Sequence, residues 1–293
     1  IGSGALDATT TQGTNVAIGT STLGGASNTA SDNTGVGYAV LLANTTGDNN
    51  VGVGVNALQA NTTGADNVGV GRNSLIANTT GNYNTAVGSQ ALDANTEANS
   101  NTAVGSIALT ANTTGAANTA VGRNALGANT TASNNVAVGE GALETNTTGA
   151  DNTAIGTKAL ATTNHTRNMG IGYRALTAQS GSSDNIAIGY DTLVRQTTGA
   201  NGNIAIGNYA GRAVVSSAST SQLVAIGHSV ASNASGALAG YQNTFVGYNI
   251  ASASGLAGAF QNTALGGSAL TDLTIGDHNV AIGYNAGNSI TTG

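Results

Sequence analysis

An all-β fold, a parallel β-solenoid of about seventeen short coils, is what this sequence predicts. Three observations carry that expectation. One phrase, N-[TVI]-[AG]-[VI]-G, returns from Gly19 to Gly283, and Gly2 ends a truncated copy. The step between copies is 17 residues through most of the chain, 16 once before Gly172, and 18 to 20 between Gly189 and Gly266. Inside the phrase the residues alternate. Thr102 and Val104 point one way and Ala103 the other, which is the period of two that marks a strand.

The elements of one unit follow in order. The strand comes first, with β-branched residues on one face, which suit a pleated surface. The other face carries only Ala or Gly, as at Ala86, Ala103 and Gly52, so something packs closely there. Gly105 ends the strand. The Ala-Leu part, with Ala108, Leu109 and Ala111, reads as a second short strand. Only about one helical turn would fit before Asn-Thr-Thr, and helices that short are marginal. The Asn-Thr-Thr-Gly stretch then turns the chain, through side-chain to backbone hydrogen bonds and tolerance of positive φ. Two strands and two turns make one coil, and stacking at about 4.8 Å gives a rod on the order of 80 Å.

Stacking explains the repetition, because each coil must offer its neighbour the same surface. The expected ladders are Asn84, Asn101 and Asn118; Val87, Val104 and Val121; and Gly88, Gly105 and Gly122. Stacked Asn side chains hydrogen-bond along the axis. The steps divide the chain into residues 1–206 of regular repeat, 207–266 with longer outer loops, and 267–293 of regular repeat. Ile1 begins in mid-phrase, so the chain is expected to be an excerpt of a longer polypeptide that continues the roll.

Composition narrows the function classes. Glycine makes up 44 of 293 residues, aromatics 3% and charged residues 7%, with no Pro, Cys or Trp. Hydrophobic residues reach 40%, but most are small or aliphatic, enough for a thin core. Zero cysteines exclude disulfide and thiol chemistry. Seven scattered Lys and Arg against a net charge of −6 argue against nucleic acid. No apolar run is long enough to span a bilayer, so no membrane contact is expected within this segment. If Ala, Gly and Leu109 fill the roll, Thr102 and Val104 face outward. The resulting apolar row needs a partner, and association of identical chains along the axis supplies one.

The phrases NVAIG (15–19 and 279–283) and NIAIG (185–189 and 203–207) resemble the head repeat of the YadA-like trimeric autotransporter adhesins. That resemblance implies a left-handed parallel β-roll, a homotrimer about a common axis, and a place outside the cell or on its surface. The unit here is longer than that family's usual repeat, and the added ANTTG widens the outer turn. Similar repeats occur in phage-type tail fibres, which keeps a virion fibre as the alternative owner.

Candidate chemical sites are sparse. His165, His228 and His278 stand far apart and read as exposed turn residues rather than a zinc site or a triad. The G-x-G spacings come from the repeat, with no helix after them to receive a phosphate. Asp66 and Asp151 lack the pattern of calcium-binding rolls and read as solvated turn acids. Catalysis needs converging groups, so no enzyme, cofactor or metal is expected. Asn44, Asn61, Asn78, Asn112, Asn129 and Asn146 stand in glycosylation sequons, but turn chemistry explains them without glycans and is the preferred reading.

The residue after the phrase glycine varies widely: Arg72, Ser89, Arg123, Glu140, Tyr173, Tyr190, His228 and Tyr248. That variation marks a surface, either merely solvated or in contact with sugars or proteins. The longer loops at 212–222, 231–240 and 251–260 are the favoured ligand-contact region, since insertions in solenoids gather on the binding face. Tyr241 and Phe260 are expected to pack under them. The expected function is a structural and adhesive surface fibre whose partners are its own copies and a host-surface protein or glycan. A receptor-binding tail fibre, an ice-binding solenoid and a functional amyloid are the competing readings.

Overall fold

The computed structural model describes residues 2–7, 13–25, 29–178, 181–195, 199–212, 222–232, 242–252 and 258–292. The chain forms two compact units, Ile1–Thr148 and Gly149–Gly293. Each is a parallel β-solenoid, with no helix among the described residues.

In the first unit the strands are β1 (Val16–Ile18), β2 (Thr34–Tyr38), β3 (Val51–Val55), β4 (Val68–Val70), β5 (Thr85–Val87), β6 (Thr102–Val104), β7 (Thr119–Val121) and β8 (Val136–Val138). Each pairs in parallel with the next, with like residues opposed: Val87 with Val104, Val104 with Val121, Ala103 with Ala120. The truncated copy at Gly2 supplies turn residues only, stacked through Ser21 N–H to Ser3 O and Leu6 N–H to Thr22 O.

The second unit repeats the plan with β9 (Thr153–Ile155), β10 (Met169–Ile171), β11 (Ile186–Ile188), β12 (Ile204–Ile206), β13 (Val224–Ile226), β14 (Thr244–Tyr248), β15 (Thr263–Gly267) and β16 (Val280–Ile282). Register is kept although coil length changes. Met169 opposes Thr153, a step of 16, and Val224 opposes Ile204, a step of 20.

The small residues of the strand face inward, which settles an assignment the alternation alone leaves open. Ala86, Ala103, Ala120 and Ala137 are fully buried, while Val87, Val104 and Val121 are each 36% exposed. At Gly35 and Gly52 glycine stands on the inner face against a larger turn residue, Thr22 and Val40. A Cβ on Gly52 would lie 2.4 Å from Val40 Cγ1. In the coil that starts at Thr244 the exchange runs the other way. Phe245 fills the inner strand position, and Ile250 followed by Ala251 replaces the usual Ala-Leu, all three being buried.

One expectation is corrected. Among the described residues the Ala-Leu segment lies in turns and is not a second strand. Ile107 and Leu109 stand at φ +54° and +50°, and the same left-handed leucine recurs at Leu58, Leu75, Leu92, Leu126 and Leu143. These turns are still paired from coil to coil. The N–H of Ile107 donates to Ser89 O of the preceding coil, and that of Leu109 donates to Ala125 O of the next. A left-handed leucine costs about 1–2 kcal/mol. Burying its side chain gains roughly 1.5–3 kcal/mol, and every one of these leucines is fully buried. Burial outweighs the strain.

Asparagine builds two ladders rather than the one expected. In the first, Asn118 Oδ1 accepts from the backbone N–H of Asn135 at 3.0 Å and from its Nδ2 at 3.2 Å. Asn118 itself bonds back to Asn101 Oδ1 through the same two donors. The second ladder is the Asn of Asn-Thr-Thr. Asn78 Nδ2 donates to Asn61 Oδ1 and Asn95 Nδ2 to Asn78 Oδ1, each at 2.8 Å. The ladders meet on one turn carbonyl per coil. Ala98 O accepts from Asn84 Nδ2 and from Asn95 Nδ2. The sequon residues Asn44, Asn61, Asn78, Asn112, Asn129 and Asn146 are fully buried members of this second ladder. Their side-chain nitrogens face the interior, so the folded roll offers no room for glycans on them.

Candidate binding site

The chemically distinctive surface lies within the second unit, on the columns that follow the phrase glycine. Five rings form one continuous file: Tyr173, Tyr190, Tyr209, His228 and Tyr248. Tyr173 and Tyr190 stack at 5.2 Å between centroids, and His228 and Tyr248 stack at 5.6 Å. Tyr209 joins the pairs edge-on, at 5.5 Å from Tyr190 and 5.9 Å from His228. In-register pairing causes the file, since the rings ride on equivalent positions of consecutive coils. Tyr209 stands one residue further along than the others, after Asn208, and its left-handed backbone (φ +60°) goes with its turned ring. Such aromatic contacts add about 0.5–1.5 kcal/mol beyond burial.

Beside the rings lies an open cavity of about 550 Å³. One wall is the column two residues after the glycine: Arg174, Asp191, Tyr209, Ser229 and Asn249, with Tyr190 beside it. The rest of the lining is Arg212, Ser232 and Ser252, five residues after the glycine in three successive coils, and Ser252 Oγ donates to Asn249 Oδ1 at 2.8 Å. Every lining residue carries a polar group. The Asp191 side chain is only 5% exposed, and Arg174 Nε and Arg212 Nη2 approach it at 3.6 and 3.8 Å. Both separations exceed hydrogen-bond length, and Asp191 Oδ1 is buried without a hydrogen-bond partner. The Arg212 guanidinium also lies 5.4 Å from the centre of the Tyr209 ring. Two cations therefore flank one carboxylate, and their donors remain available to a ligand.

A second charged feature is structural. Arg167 grips Asp184 of the next coil with Nε at 2.6 Å and Nη2 at 3.1 Å. That hydrogen bond is the main reason the Asp184 carboxyl titrates below its usual 3.8; desolvation opposes it and the Arg167 charge adds to it. A folded-state value below the unfolded one stabilises the fold above about pH 4 and loses that contribution as pH falls through the folded value. Both side chains are largely exposed, so the contribution is small and salt-screened. Thermal melts from about pH 2 to 7 should show Asp184→Asn nearly as stable as the parent at neutral pH, with a shallower loss on acidification.

The sequence-derived candidates distribute as follows. Tyr173, Tyr190, His228 and Tyr248 all belong to the ring file. Arg212, Ser232 and Ser252 fall at the start of the stretches 212–222, 231–240 and 251–260, whereas Tyr209, Asp191 and Arg174 were missed. The signal for those three was the run of aromatic and charged residues in the two positions after Gly172, Gly189 and Gly207. Tyr241 lies outside the described residues, as do most of the loops at 212–222, 231–240 and 251–260. Phe260 is half-buried; its N–H donates to Asp277 Oδ1, and it does not line the cavity. His165 and His278 stand apart from the file, in turns.

Among the described residues no His, Asp and Glu cluster suits a metal ion, and no helix is long and apolar enough to cross a membrane. Compared with family models, curated proteins and solved structures, the chain matches none.

Proposed function

We propose that this chain is a segment of a homotrimeric adhesive fibre displayed outside the cell, a non-enzymatic stiff roll whose work is reach and repeated contact. The observation that supports it best is the outward apolar row. Val87, Val104 and Val121 stand 36% exposed at equivalent points of consecutive coils, and Ile155 and Ile206 occupy the same position in the second unit at 39% and 37%. Parallel sheets are normally covered on both faces, and one inner face is all that a single roll covers. Sister chains carrying the same row cover it without new chemistry, as in the YadA-like heads that the repeat resembles. Three identical chains also multiply weak contacts into avidity.

The ice-binding reading loses support from the turns. The first Thr of each Asn-Thr-Thr spends its hydroxyl on a carbonyl of the next coil, as Thr113 does on Thr130 O at 3.0 Å. Its partner Thr114 is exposed, so the Asn-Thr-Thr turn offers one open threonine rather than a flat pair.

Light scattering tests the assembly. The purified chain should have three times its formula mass of 28.2 kDa. The triple variant Val87→Lys, Val104→Lys, Val121→Lys should lower the mass to that of one chain, while β-type circular dichroism persists. A folded parent that stays monomeric overturns the trimer.

A further inference from the structure

We propose that the cavity lined by these two post-glycine columns binds a sugar that carries a carboxylate or sulfate group. The inference gives a ligand class to the adhesive reading above and rests on it.

The charge is the first argument. The whole chain has seven Lys and Arg and a net charge of −6. Two of those seven cations line this one cavity. They share a single carboxylate, Asp191, which leaves the trio one positive charge in an otherwise acidic chain. Asp191 holds both guanidiniums at the wall without consuming their donors, because neither comes within hydrogen-bond distance of it. A planar fork of free N–H groups fits the paired oxygens of a carboxylate or sulfate.

The rest of the lining decides what carries that anion. The volume of about 550 Å³ falls in the range of small-ligand sites and far exceeds a bare inorganic ion. No aliphatic side chain lines it, so the apolar side chains of a peptide gain nothing there. Ser229, Ser232 and Asn249 supply neutral donors and acceptors, and Tyr190 and Tyr209 add two phenol rings to the lining. That set matches a ring bearing one anionic group and several hydroxyls.

The residues five after the glycine explain why the cavity forms here. They are Arg212, Ser232 and Ser252 in the three coils that line it. The equivalent position in the preceding coil is Val194, which is 6% exposed and closes the gap with an aliphatic side chain. Replacing that buried valine by arginine and serines opens the space.

Titration calorimetry of the full chain with glucuronate, glucose 6-sulfate, glucose, inorganic sulfate and an oligoglutamate peptide tests the proposal. Glucuronate or glucose 6-sulfate should bind, at least about tenfold more tightly than glucose, inorganic sulfate or the peptide, as for the loss of a charged hydrogen-bonding group. Preference between the two acids tells carboxylate from sulfate. Arg174→Gln and Arg212→Gln should each weaken binding by about tenfold or more. Arg123→Gln, on an exposed surface pair with Glu140 in the first unit, should leave it unchanged. Circular dichroism and mass confirm that each variant is folded and assembled. Equal binding of neutral and acidic sugars, equal binding of the peptide or sulfate alone, insensitivity to both arginine variants, or no binding by a folded trimer overturns the proposal. A trimer that adheres to cells but binds no acidic sugar sinks this inference alone, whereas a monomer that binds glucuronate sinks the fibre reading alone.

Discussion

Gly105→Ala should destabilise the first unit by about 4 kcal/mol. Gly105 has φ +137°, a backbone region that side-chain-bearing residues rarely adopt. Holding alanine there costs about 1–3 kcal/mol. The added Cβ would lie 2.5 Å from the Gly122 carbonyl oxygen and 2.6 Å from its carbon. Those are backbone atoms of the next coil, fixed by that coil's own stacking. Relieving the overlap means separating the coils, at a further cost of about 1–3 kcal/mol. Ser106→Ala, at the exposed neighbouring position, is the control and should change stability by less than about 0.5 kcal/mol. Urea unfolding gives the magnitude, and amide exchange resolved along the chain gives the place. Protection should fall first at β6 and β7. A loss below about 1 kcal/mol would mean that the glycine column is a habit of the repeat and not a steric demand.

Asn118→Ala should cost roughly 2–4 kcal/mol. The side chain is fully buried. Its oxygen accepts two bonds from Asn135, and its nitrogen donates to Ala132 O at 2.8 Å. Truncation leaves the buried N–H of Asn135 without its acceptor, and that desolvated donor dominates the cost. Ala132 O suffers less, because Asn129 Nδ2 still donates to it at 3.0 Å. Asn118→Asp separates shape from charge. It keeps the acceptor but buries a carboxylate against Asn101 Oδ1 and the Ala132 carbonyl. Its folded pKa therefore rises above the unfolded one, and stability should improve as pH falls through that raised value. Thermal melts across pH should show Asn118→Asp recovering in acid while Asn118→Ala does not. A pH-independent Asn118→Asp would mean that water reaches the ladder.

The strand and its register were legible because alternation and repetition constrain each other. The phrase separates Ala103 from Val104, but which of them lies inside came from the packing, with Ala103 fully buried. The Ala-Leu segment was misread for a physical reason. Propensity treats a left-handed leucine as unfavourable, so Leu109 suggested a strand. Only the depth of its burial, a tertiary property, shows why the strain is accepted. The second asparagine ladder was hidden similarly, since Asn78 and Asn95 are sound turn residues whether or not they stack. The cavity was the least visible. Arg174, Asp191 and Arg212 are 17 and 21 residues apart, and coils of unequal length bring them together. A fixed 17-residue alignment puts Tyr209 and Arg212 out of phase with their true neighbours.

Register holds while the coil step runs from 16 to 20 residues, and this frees one part of the molecule from the other. A handful of positions in each turn answer to the architecture: the asparagines, the small inner residue, the glycine and the leucine. Between them, the sequence can drift, lengthen or acquire a new chemical group without the layers above and below sensing it. Novelty can enter such a protein one rung at a time.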